Sequence, residues 1–152
     1  MYQINETHDP NLKSWVESAN DPNTDFPIQN LPFCMFWSSA ESEAPHLGIG
    51  IGDYIFDLKQ AIVAGLLGSG FDPLAEEIDL CDLSFLTEVY GTAILSDLRR
   101  SAFDVLRDDA EPETIEDAKY CMVPMSKADP ELAFEIGDYT DFYCSIYHAT
   151  NV

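Results

Sequence analysis

The alternation of apolar and polar positions is clearest between His46 and Leu58. In HLGIGIGDYIFDL, Leu47, Ile49 and Ile51 alternate with glycines, and Tyr54, Phe56 and Leu58 alternate again after Gly52-Asp53. A period of two on either side of a Gly-Asp pair predicts a β-hairpin. Upstream, the prolines of FPIQNLPF fix φ and favour extended neighbours, so an aromatic strand is expected over Phe33 to Trp37. Beyond Leu58 the period lengthens. Leu58, Ile62 and Leu66 form a short helical face that ends at Gly65 or Gly68, and a second short helix fits Ser84 to Tyr90. The strongest stripe is Ile94, Leu95, Leu98, Ala102, Val105 and Leu106. It predicts a helix from Thr92 to Leu106 with Thr92 as N-cap.

The remaining segments carry less periodicity. Residues 1–25 are polar and turn-rich, anchored only by Trp15 and Val16, and read as an arm laid over the domain. Asp108 to Glu116, with Pro112, reads as an acidic turn. Gly48, Gly50 and Gly52 keep strict two-residue spacing, whereas a dinucleotide loop needs Gly-x-Gly-x-x-Gly ahead of a helix. Glycines in a strand instead mark bending or close packing, as in a small barrel.

Composition narrows the partners. At 152 residues with 46% apolar and 12% aromatic content, the chain has enough material for one folded core. Its 28 acidic residues against 7 basic ones give a net charge of -21, which repels phosphate backbones and anionic membranes. Neither a nucleic acid nor a membrane surface is an expected partner. Arg99 and Arg100 lie off the apolar stripe and are expected to pair with surrounding carboxylates, with ligand binding as the minor reading. Cys34, Cys81, Cys121 and Cys144 form no C-x-x-C pair, which suggests free thiols in a reducing compartment. The N-terminus lacks a basic region followed by an apolar one, so a cytoplasmic location is expected.

The last stretch, DYTDFYCSIYHATNV, concentrates chemistry. A helix starting near Asp141 would turn Phe142, Ile146 and Ala149 one way and Asp141, Cys144, Ser145 and His148 the other. Asp141 at such a helix start serves as a cap or, turned outward, as a ligand for a hard cation. Taken singly, each residue also has a structural role: a cap, a surface histidine, and in Tyr143 an aromatic at the core edge. A zinc pair of Cys144 and His148 lacks the second Cys/His pair it needs.

That run closely resembles the signature with which the catalytic region of the fumarylacetoacetase family opens. TDFPIQNLPFCMF followed by HLGIGIGDYIFDL resembles the start of the same family's N-terminal domain. The resemblance implies an α+β, mainly β chain with short helices. Residues 1–25 would form the arm, 26–123 a small SH3-like β-barrel domain, and 124–152 a linker with the first, truncated segment of a β-rich catalytic domain. It further implies hydrolysis of the carbon-carbon bond of 4-fumarylacetoacetate, a diketo acid, to fumarate and acetoacetate in tyrosine and phenylalanine catabolism, by a homodimer. By motif position, Asp141 resembles a carboxylate ligand of Ca2+ or Mg2+, Tyr143 a substrate-binding residue, and His148 the base that activates water. The family's other metal carboxylates and anion-holding groups lie beyond Val152, so the chain reads as the N-terminal part of an enzyme and is expected to be inactive alone. Residues from 138 onward, with Phe142 and Ile146 uncovered, are expected to be loosely held. Two alternatives stand beside this reading: a stand-alone small-barrel module for assembly or protein binding, and a related diketone hydrolase with another acyl group.

Overall fold

A computed structural model of the chain describes residues 4–38, 44–75, 82–134 and 136–152. Its centre is the predicted hairpin. Strands β2 (His46–Ile51) and β3 (Tyr54–Asp57) pair antiparallel with Ile51 opposite Tyr54, leaving Gly52-Asp53 as the two-residue turn. Gly52 takes φ 52°, the positive value that a Gly-first hairpin turn demands. A side chain there would also run into Ser18 Oγ and come within 2.6 Å of Ala19 N, because the N-terminal arm crosses directly over the turn.

β1 (Phe33–Trp37) runs antiparallel to β2 over the expected residues. Two further strands flank these three: β4 (Met122–Pro124) beside β3 and β5 (Asp129–Glu131) beside β1, giving a curled five-stranded antiparallel sheet in the order β4-β3-β2-β1-β5. Residues Asp129–Glu131, from the segment read as linker, are thus an edge of the sheet.

The two faces of the sheet differ. Met35, Leu47, Ile49, Ile51 and Phe56 point into the main core, where α1 (Leu58–Val63), α2 (Leu83–Tyr90) and α3 (Ala93–Leu106) bury Leu58, Ala61, Leu83, Leu86, Leu98, Ala102, Phe103 and Leu106. On the other face, Phe36 and Ile55 fold over Gly48. A Cβ on that glycine would strike Ile55 Cγ2 and sit 2.8 Å from Phe36 Cε1, so its missing side chain is what lets the sheet curl.

The helices follow local signals, with three corrections. α3 begins where its stripe predicts, but Thr92 is itself in the αR region and makes no side-chain cap. α2 and α1 are capped instead by aspartates: Asp82 accepts from Phe85 N at 2.8 Å, and Asp57 from Gln60 N at 3.1 Å. The segment read as an acidic turn holds α4 (Pro112–Lys119), which starts with Pro112 in the first turn, where its missing N–H costs nothing. Across the described residues helices hold more of the chain than strands do, so the class is α+β rather than mainly β.

The N-terminal residues lie over the helices and the hairpin turn, and their hydrogen bonds say why. Ser14 Oγ donates to Leu106 O and Trp15 Nε1 to Val105 O (3.0 Å). These are carbonyls at the C-terminal end of α3, which have no partner within the helix. The arm therefore satisfies the C-terminal end of α3 while pinning the hairpin turn.

Candidate functional site

The terminal constellation is arranged differently from the helix expected near Asp141. The final helix, α5, spans only Ile146–Asn151, with Ser145 at its N-cap and no side-chain cap bond. Residues 136–145 before it are irregular, and Asp141 is neither a cap nor on a helical face with His148.

The structure does bring together Tyr143 and His148, whose ring centroids lie 5.4 Å apart at a tilt of 46°. Among the described residues no hydrogen bond or ion pair joins Asp141 to either of them. Tyr143, Phe142 and Ile146 are 62%, 71% and 74% exposed, so the segment lies uncovered.

A Ca2+ or Mg2+ ion asks for about six or more oxygen ligands, several of them carboxylates or carbonyls. No group of three or more His, Cys, Asp or Glu among the described residues is placed to hold a metal ion. Asp141 alone does not fit that requirement.

A carboxylate-imidazole pair does exist elsewhere, between residues that the sequence pattern did not single out. Asp57, fully buried at the junction of β3 and α1, accepts from His46 Nδ1 at 2.7 Å and from Gln60 Nε2 at 2.8 Å. His46 sits at the start of β2 with its ring edge-on to Phe36, at 5.9 Å between centroids. The available signal was Asp57 directly before a helical stripe, which is a capping position. The pair locks strand to helix, and no hydroxyl or thiol is hydrogen-bonded to it among the described residues.

The thiols also divide by environment. Burial pushes the Cys34 and Cys121 thiols up to about 11, with the Asp57 and Asp117 carboxylates adding to the effect at Cys121. Cys144 is exposed, and Cys81 lies outside the described residues. Of the two arginines expected to meet carboxylates, Arg100 does, reaching Glu6 at 2.6 Å and Asp104 at 3.5 Å. Arg99 does not: it donates to Thr7 Oγ1 (2.7 Å) and Gln29 O (2.6 Å). No helix of the described residues is long and apolar enough to cross a membrane.

Comparison with known proteins places this fold. The family profile described as Fumarylacetoacetase N-terminal matches residues 29–133. The chain belongs to the fumarylacetoacetase N-terminal family. The matched span takes in all of β1–β5 and α1–α4 and stops before Asp141. Curated relatives extend the likeness. A fumarylacetoacetase of Oryza sativa subsp. japonica is 37% identical over 151 residues, covering 92% of this chain and 33% of its own length. One from Caenorhabditis elegans is 37% identical over 150 residues, covering 93% of this chain and 33% of its own length. One from Rattus norvegicus is 35% identical over 144 residues, covering 91% and 32%. The chain thus spans about a third of the length of these fumarylacetoacetases.

Proposed function

We propose that the chain is the N-terminal part of a fumarylacetoacetase, a hydrolase that splits the carbon-carbon bond of 4-fumarylacetoacetate into fumarate and acetoacetate in tyrosine and phenylalanine catabolism. The observation that carries this reading is the family match over residues 29–133, joined to the likeness with whole fumarylacetoacetases. The curled sheet is the small SH3-like barrel of that family, and the full-length protein works as a homodimer in the cytoplasm.

Within this reading His148 is the general base. An imidazole is the side chain suited to taking a proton from water near neutral pH. The water oxygen adds to the ketone carbonyl on the fumaroyl side, the carbon-carbon bond breaks, and its electron pair leaves on the acetoacetate carbon, which is then protonated. Tyr143, packed beside His148, offers a flat apolar flank and one hydroxyl to the substrate. Asp141 supplies one carboxylate toward a Ca2+ or Mg2+ site whose other donors come from outside the described residues. The chain alone is therefore inactive.

A chimera tests the reading. Residues 1–152 replace the matching third of the rice fumarylacetoacetase, and loss of fumarylacetoacetate is followed alongside the isolated chain. Turnover by the chimera and none by the chain is the expected result. A folded, inactive chimera, or substantial turnover by the chain, would overturn it, the former favouring a stand-alone binding module.

A further inference from the structure

We propose that the cavity between the N-terminal arm and α3 binds a small organic monocarboxylate, with Arg99 holding the carboxylate and Phe33 and Leu95 packing its apolar body. The cavity measures about 390 Å³ and is lined by His8, Phe33, Leu95, Arg99 and Arg100 among others. It therefore gathers two of the chain's 7 Lys and Arg residues and one of its 3 histidines.

The charges around it do not cancel. Arg100 is balanced by Glu6 and Asp104. Arg99 is half-buried, and its two bonded N–H groups meet neutral oxygens, of Thr7 and Gln29. Among the described residues no carboxylate lies within ion-pair distance of it. Burial lowers its pKa from the ordinary arginine value, the mark of a cation short of compensation. The bonds to Thr7 and Gln29 use two of the five guanidinium N–H groups and hold the group in place, leaving three for a ligand.

His8 adds a polar group to the lining. Its ring is held at the cavity wall by Asn5, with Nδ1 at 3.2 Å from Asn5 N and 3.1 Å from Asn5 Oδ1. One uncompensated cation matches one negative charge, and a net charge of -21 disfavours a more highly charged anion. The apolar walls select against a fully hydrated ion. None of Asp141, Tyr143 and His148 lines this cavity, so the proposal stands apart from the hydrolase reading.

Titration of the full chain with benzoate, acetate and inorganic phosphate in low salt, followed by 15N-resolved NMR, tests it. Benzoate is expected to bind saturably with a Kd of about 1 mM, shifting Leu95 and Arg99 signals, and to bind at least about tenfold tighter than acetate or phosphate. Arg99→Gln should weaken benzoate at least about tenfold. Because Arg99 also ties the arm down, Leu95→Asp provides a second test: it leaves the bonds to Thr7 and Gln29 and offers the guanidinium an internal carboxylate. This variant should lose benzoate binding. Absence of saturable benzoate binding, equal binding of phosphate, or benzoate binding unchanged in a folded Leu95→Asp variant would each overturn the proposal.

Discussion

Replacing Asp57 by alanine removes three interactions from one buried point. Oδ1 caps α1 through Gln60 N, and Oδ2 holds both His46 Nδ1 and Gln60 Nε2. Losing an N-cap costs about 1 kcal/mol. Losing the hydrogen bond to His46 adds about 1 to 1.5 kcal/mol, limited because the imidazole is partly exposed and recovers water. The bond to Gln60 Nε2 contributes little, since that side chain is free to turn to solvent. The expected loss is about 2 to 3 kcal/mol, or roughly 5 to 10 °C in Tm for a chain of this size. Urea unfolding followed by circular dichroism measures it, with the slope unchanged if only the native state is affected. Asp57→Asn keeps an oxygen for the cap and should lose about 1 kcal/mol. A double-mutant cycle with His46→Ala should return a coupling of about 1 kcal/mol. A loss below about 0.5 kcal/mol for Asp57→Ala would refute the idea that this carboxylate fastens strand to helix.

Other outcomes follow from the same packing. Gly48→Ala forces Phe36 and Ile55 aside and should cost about 1 to 3 kcal/mol, read as a lower urea midpoint. In a Cys81→Ser background, a thiol reagent at about pH 8 should label Cys144 fast and leave Cys34 and Cys121 nearly untouched. Labelling of the latter two should rise as pH climbs toward about 11, where burial has placed their ionisation. Equal labelling of all three at the lower pH in the folded chain would contradict those environments.

The hairpin, β1 and α3 were legible because their periods of two and 3.6 extend over enough residues to separate strand from helix. The short elements were not. β4 and β5 are too brief to show alternation, and their pairing with β3 and β1 is a tertiary fact. α4 hid behind Pro112 and its acidic neighbours, which signal a turn as readily as a first helical turn. In the terminal run, residue types and the family resemblance named Asp141, Tyr143 and His148, but spacing on an imagined helix misjudged their arrangement, because the helix starts only at Ile146. Arg99 shows the opposite limit: an excess of carboxylates in the composition does not decide which of them reach a given cation.

The most direct test of the hydrolase reading is His148→Asn within the active rice chimera, assayed for kcat on fumarylacetoacetate with folding checked by circular dichroism. Loss of the base predicts a fall in kcat of about 100-fold or more with little change in the folded signal. A folded variant that keeps its kcat to within about threefold would show that His148 does not activate the water, and would contradict the role assigned to it.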